Sequence, residues 1–267
     1  MIKTAEQINA IKASGKVNYL THQYLKTLIK PGITTKELDR AAETFIKMHD
    51  SIPAFLGYQD FPGNICISIN DEIVHGIPGD RVLKNGDIVS IDIGVIKDGY
   101  YSDSAWTYPV GEVNNEKMRL MHHTEKALYI GLKEIKNGAH VNNIGARIDG
   151  YAKKHGYGVV RELVGHGVGI TLHEPPDVPN FGKYGTGMVL KTGMIIAVEP
   201  MINAGTKEIA ILEDNWTIVT NDGKPSAHYE HTVLVTDDGY EILTGEWKIW
   251  LSKKQCLIRP KKLKKAQ

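Results

Sequence analysis

What most restricts the folds open to this 267-residue chain is that part of it occurs twice. The stretch Leu83-Lys84-Asn85-Gly86-Asp87-Ile88-Val89-Ser90-Ile91-Asp92 resembles Leu190-Lys191-Thr192-Gly193-Met194-Ile195-Ile196-Ala197-Val198-Glu199 at an offset of 107 residues. Ile29-Lys30-Pro31-Gly32 resembles Ile135-Lys136-Asn137-Gly138 at an offset of 106, and two nearly equal offsets argue against chance likeness of one segment. The local patterns follow the same division. Capping boxes at Thr4/Gln7 and Thr34/Glu37 open helical spacing that ends at Pro31-Gly32 and near His49. Short β-branched runs with turn pairs at Asn70-Asp71, Asn85-Gly86 and Asp98-Gly99 then fill residues 65–108. Residues 115–137 and 142–155 return to helical spacing, and strand-like segments run from Val159 to Leu243. Helices, strands, helices and strands imply two α/β halves, about 1–110 and 111–244, in a single domain. Asp92 and Glu199 end equivalent strands in this scheme, so one chemical site between the halves is expected.

An apolar content of 42% is ample for a core of that size. A membrane span is not expected, because charged residues make up 24% of the chain and no apolar run is long enough. The first residues lack a basic-then-apolar export pattern, and two cysteines, Cys66 and Cys256, cannot build a disulfide framework. A reducing, cytoplasmic setting is expected. The formal charge of +1 conceals a division: residues 253–267 carry seven Lys/Arg and no acid, leaving 25 basic against 31 acidic residues before them. Residues 245–267 therefore read as a basic C-terminal extension on a mildly acidic body.

Several acids sit where acids are costly. Asp92 lies inside the apolar run Ile91-Asp92-Ile93, and an unpaired charge there calls for a cation or strong donors. If Asp98-Gly99 are the two turn residues of a hairpin, Lys97 faces Tyr100 and Asp92 faces Ala105. Asp103 then shares a face with Asp92 as a diagonal neighbour, roughly 7–8 Å away. Carboxylates so placed suit a pair of divalent ions about 3.5–4 Å apart. Glu199 and Glu230 are further acids in apolar or β-branched sequence, and His166 stands between Gly165 and Gly167, which leave room for ligands to approach. Four carboxylates and one imidazole balance two divalent ions and leave hydroxide as a nucleophile. Other enzyme patterns fit badly. His173-Glu174-Pro175-Pro176-Asp177 begins like a zinc-protease helix, but prolines bar the helix and the second histidine is missing. No dinucleotide fingerprint, P-loop or nucleophile elbow occurs.

The strings Ile73-Val74-His75-Gly76-Ile77-Pro78, Asp87-Ile88-Val89-Ser90-Ile91-Asp92, Gly165-His166-Gly167-Val168-Gly169, Glu199-Pro200-Met201 and Tyr229-Glu230-His231-Thr232 closely resemble the type I methionine aminopeptidase family, over about residues 3–244. The resemblance is to the short bacterial form. It implies the α/β pita-bread fold, two pseudo-symmetric halves around a dinuclear metal site. It further implies Asp92 on one metal, His166 and Glu199 on the other, Asp103 and Glu230 bridging, and Glu199 as proton shuttle. Two divalent ions per chain are implied, with Co, Mn, Fe, Zn and Ni all compatible with an oxygen-rich site bearing one histidine. His75 and His173 match histidines that contact the scissile peptide. Tyr58, Cys66 and Trp216 match the methionine pocket. Phe55 stands where a small cysteine is usual, Phe61 where tyrosine is common and Leu172 where an aromatic is common. The implied substrates are nascent polypeptide N-termini with a small second residue, and the implied state is a monomer. A prolidase-like or aminopeptidase P-like peptidase of the same fold, or a metal-free peptide-binding module, are the alternatives. The tail, with Trp247, Trp250 and Leu251 followed by lysines, offers a salt-sensitive contact to ribosomal RNA.

Overall fold

The computed structural model describes residues 1–245, so all of the basic extension after Gly245, with its expected ribosome contact, lies outside the described residues. Both capping boxes form. Thr4 Oγ1 accepts the Gln7 N–H at 3.3 Å while Gln7 Oε1 accepts the Thr4 N–H at 2.9 Å, opening α1 (Ala5–Leu28). Thr34 and Glu37 exchange the same bonds ahead of α2 (Thr35–Met48). Asn114 caps α3 (Asn115–Leu132), and α4 spans Asn142–Lys154. Helix α3 ends before residue 137 because the Glu134 and Ile135 N–H groups turn back onto the Gly131 and Leu132 carbonyls, which directs Ile135 into the core.

Two antiparallel sheets frame the molecule. In the first, the Ile88–Lys97 strand pairs along its length with Tyr100–Pro109, and its other edge holds Cys66–Ile69 and Ile52–Pro53. In the second, the order is Tyr240–Ile242, His231–Val235, Ile195–Val198, Gly165–Gly167, Glu174–Val178. Helices α1 and α2 bury Leu25, Leu38 and Ile46 with Ile67, Ile91 and Ile93 of the first sheet. Helices α3 and α4 bury Leu128, Ile144 and Ile148 with Ile196, Val198 and Val233 of the second. A smaller sheet joins Glu72–Val74 to Ile218–Thr220, and another joins Met201–Asn203 to Ser226–His228.

The buried face of α1 is half polar, which its apolar spacing does not reveal. Ser14 Oγ donates to Val95 O at 2.8 Å, Asn18 Nδ2 donates to Ile93 O, and the His22 ring bridges Ser104 O and the Tyr108 hydroxyl at 3.0 Å each. These side chains tie the helix to the hairpin that carries Asp92 and Asp103, and a satisfied buried polar group holds geometry as well as stability. Burial lowers the His22 pKa to about 4, so the ring is neutral at physiological pH.

Buried Asp39 on α2 plays the same part for the next segment. Its carboxylate accepts the Asn64 N–H at 2.8 Å, the Ile65 N–H at 3.2 Å and Asn64 Nδ2 at 2.7 Å, fixing the approach to Cys66. Asp39→Ala strands those donors, and a loss of about 2–3 kcal/mol is expected in chemical denaturation. A midpoint equal to that of the unchanged protein would show that water replaces the carboxylate.

Candidate metal centre

Asp98 and Gly99 take φ of 51° and 81°, the left-handed pair that a two-residue hairpin turn needs. The resulting register sets Lys97 against Tyr100, Asp92 against Ala105 and Asp103 against Gly94, so Asp92 and Asp103 are diagonal neighbours on one face. Gly94 leaves space that the Phe55 ring fills: a β-carbon there would collide with that ring and with Ala54. The hairpin is stitched to the second sheet. The Asp103 N–H donates to Thr232 Oγ1 at 3.0 Å, Thr232 Oγ1 donates to Asp103 O at 2.7 Å, and the Glu230 N–H donates to Ala105 O at 2.8 Å. Glu230 thereby arrives beside Asp103 from the other half of the chain.

His166 sits on the Gly165–Gly167 strand. The flanking glycines have a different purpose from the ligand access expected of them: β-carbons at 165 and 167 would collide with the carbonyl oxygens of Ala197 and Pro175, so neighbouring strands require them. Buried His166 is held neutral, its pKa lowered by desolvation to about 3. Its Nδ1–H donates to Gly167 O at 2.9 Å, which leaves the Nε2 lone pair facing Glu199 Oε1 at 3.5 Å and Asp103 Oδ2 at 3.9 Å. Ligand atoms of Asp103, His166 and Glu230 all lie within 4.8 Å of one another.

The electrostatics of this cluster call for a cation. Withdrawal from water raises the carboxyls of Asp103 and Glu230 well above the usual range, and repulsion from the other carboxylates adds to it. Desolvation also raises Asp92, and pushes Glu199 up to about 8. Asp92 Oδ1, Asp103 Oδ1 and Glu230 Oε1 are buried with no hydrogen-bond partner. Four crowded acids, three with orphaned oxygens, beside one neutral imidazole with an open lone pair form a donor set for hard to borderline divalent ions.

All thirteen side chains expected in the site line one cavity of about 650 Å³: Asp92, Asp103, His166, Glu199 and Glu230, with His75, His173, Tyr58, Phe55, Phe61, Cys66, Leu172 and Trp216. Phe55, Phe61, Cys66 and Leu172 are buried and pack together as its apolar floor, with Tyr58 and Trp216 against them. Cys66 stands directly across the strand pair from Asp92, where burial and nearby carboxylates raise its thiol pKa and keep it protonated. Trp216 meets Phe61 edge-on at 5.0 Å and is placed by Asp214, which accepts the Trp216 and Thr217 N–H groups at 2.9 and 2.8 Å.

Two further histidines border the acids. The His173 ring lies against that of His166, tilted by 58° with centroids 4.1 Å apart, and its Nδ1 meets the Tyr58 hydroxyl at 2.8 Å. His75 holds φ of 60°, a conformation that costs a non-glycine residue about 1–3 kcal/mol and is sustained here by its surroundings. Its ring meets Trp216 edge-on at 6.1 Å, and desolvation lowers its pKa to about 4. Two residues escaped the sequence analysis. Gln59 lines the cavity and left no signal beyond its proximity to Tyr58. His228 is buried with Nε2 at 3.5 Å from Glu199 Oε2, and its place two residues before Glu230 was the available hint.

The family described as "Metallopeptidase family M24" matches residues 9–237. Methionine aminopeptidase 1 of Bacillus subtilis (strain 168) is 52% identical over 242 residues, covering 91% of this chain and 98% of that protein. The crystal structure of methionine aminopeptidase from Rickettsia prowazekii matches with a TM-score of 0.91 at 44% identity, covering 92% of this chain and 99% of that one. The prolidase from Pyrococcus furiosus matches with a TM-score of 0.73 at 24% identity, covering 92% of this chain and 65% of that one, a likeness of fold alone.

Proposed function

This chain belongs to metallopeptidase family M24 and, within it, to the methionine aminopeptidases of pita-bread fold, and from that premise we propose how its cavity selects and releases an N-terminal methionine. It is a metal-dependent hydrolase acting on protein N-termini. Two divalent ions per chain are proposed, drawn from Co, Mn, Fe, Zn and Ni. Asp92 would hold one, His166 and Glu199 the other, and Asp103 and Glu230 both. Bound there, such ions supply Lewis acidity toward a carbonyl oxygen and a nucleophile at neutral pH.

The apolar floor receives the methionine side chain. An unbranched thioether fits an irregular space between rings and a leucine, so Phe55, Phe61, Cys66, Leu172, Tyr58 and Trp216 form the specificity pocket. The free α-amino group lies toward the acids, which explains why a terminal residue alone is cut. With the Tyr58 hydroxyl donating to Nδ1, the His173 ring carries its proton on Nε2 and offers it to oxygen developing charge on the scissile carbonyl. His75, neutral and held at positive φ directly after the Glu72–Val74 strand, flanks the same peptide from the Trp216 side. The Glu199 carboxylate, whose proton affinity burial raises, takes up the proton released in hydrolysis and returns it to the departing amine. Substrates are proposed to be nascent polypeptides whose second residue is small enough to pass between these imidazoles. A cytoplasmic location and a monomer are proposed with it, and no helix among the described residues is long and apolar enough to cross a membrane.

The observation that carries this reading is the adjacency of a neutralisable acid cluster and a closed apolar floor in one cavity. Metal-replete protein is expected to release methionine from Met-Ala-Ser and to leave Gly-Pro intact, with chelator abolishing the reaction and added divalent ion restoring it. Cleavage of Gly-Pro would favour a prolidase-like activity. Silence toward both peptides would favour a binding module.

A further inference from the structure

Buried His228 is placed with unusual care for a side chain that bonds to nothing. Its backbone N–H donates to Thr107 Oγ1 at 3.0 Å, its carbonyl accepts from the same hydroxyl at 2.9 Å, and Thr107 Oγ1 also meets Ser90 Oγ at 2.8 Å. The residue pairs with Met201 across the small sheet, two positions beyond Glu199, whose own carbonyl accepts Asn180 Nδ2 at 3.0 Å. Both backbones are therefore pinned. The His228 ring nitrogens are buried without a hydrogen-bond partner, which costs free energy unless another state of the protein uses them.

The contact nearest to a use is with Glu199. The two oxygens of that carboxylate face two different histidines: Oε1 lies 3.5 Å from His166 Nε2, and Oε2 lies 3.5 Å from His228 Nε2. We propose that His228 is a positioning residue, whose Nε2–H holds Glu199 Oε2 and so turns Oε1 toward the cation shared with His166. This rests on Glu199 being a metal ligand. Donors behind a ligating carboxylate fix its rotamer, and their loss typically lowers metal affinity or activity about 10–100-fold. The ring also lies in the field of Asp92 and beside His75, but among the described residues Glu199 is the acid whose oxygen comes within ion-pair distance of it.

The test is calorimetric titration of the metal-free full chain with Mn²⁺, with thermal unfolding of each metal-free variant alongside. His228→Leu is expected to weaken Mn²⁺ binding about 10–100-fold and to lower kcat for Met-Ala-Ser at saturating Mn²⁺ with KM nearly unchanged. His228→Gln, whose side-chain amide restores a donor at similar reach, is expected to recover affinity to within about threefold. Affinity lost equally in both variants would mean that ring packing is what matters, and would overturn the proposal. So would unchanged affinity in His228→Leu. If His228→Leu does not fold, His228→Asn, polar but too short to reach, replaces it in the same comparison with His228→Gln. Glu199→Ala separates the two levels. Wild-type affinity in that variant would remove the ligand assignment together with this inference, whereas loss there and none in His228→Leu would remove this inference alone.

Discussion

Asp103→Asn is expected to lower methionine release from Met-Ala-Ser by at least about a thousandfold, which corresponds to about 4 kcal/mol of transition-state stabilisation. The substitution is nearly isosteric, and the bonds between the Asp103 backbone and Thr232 Oγ1 do not involve the side chain, so the hairpin should keep its position. What is lost is the charge and one acceptor at the centre of the donor set, where Asp103 stands beside both Asp92 and the His166–Glu230 pair. The amide also removes a carboxyl that burial and its acidic neighbours make costly to ionise without a cation. Metal-free Asp103→Asn is therefore expected to unfold at a temperature no lower than the unchanged protein, while its stabilisation by added Mn²⁺ is greatly reduced. Methionine-release assays and thermal unfolding with and without Mn²⁺ check both halves. A variant that stays active and metal-stabilised would exclude Asp103 from the centre.

His173→Ala should cost about 10²–10³ in kcat with a much smaller change in KM, the pattern of a donor used as charge develops on the carbonyl oxygen. Tyr58→Phe is the companion test. It keeps the ring that packs near His173 but removes the hydroxyl at 2.8 Å from Nδ1, so the imidazole stays and loses its fixed proton position. A decrease of about tenfold is expected, intermediate because one hydrogen bond contributes roughly 1–1.5 kcal/mol to orientation. Steady-state kinetics on Met-Ala-Ser distinguish the cases. If His173→Ala raises KM and leaves kcat intact, the residue binds substrate without stabilising the reacting oxygen.

Much of this site could be reached from local pattern, and particular residues show why. The Thr4/Gln7 and Thr34/Glu37 boxes are contained within four residues each, so helix starts are written where they occur. The Asp98-Gly99 turn admits one register, and that register aligns Asp92 with Ala105 and brings Asp103 diagonally beside it without knowledge of any other element. Apolar flanks mark Asp92 as needing a cation because desolvation is a property of neighbours in sequence as well as in space. The glycines around His166 were legible as residues but not as reasons, since the carbonyls of Ala197 and Pro175 that demand them come from other strands.

The sequence by itself determined the helix starts, the hairpin register and, through resemblance, thirteen of the fourteen side chains that line the cavity, because caps, turn residues and motifs act over a few positions. Only the tertiary structure decided that α1 grips the hairpin through Ser14, Asn18 and His22, that Thr232 stitches Asp103 to Glu230, and that His228 stands behind Glu199. Each of those partnerships joins polar groups separated by tens of residues. A buried donor or acceptor has no preference for a partner near in sequence. It takes whichever complement the packed sheets bring within reach, and that pairing exists only once the chain has closed.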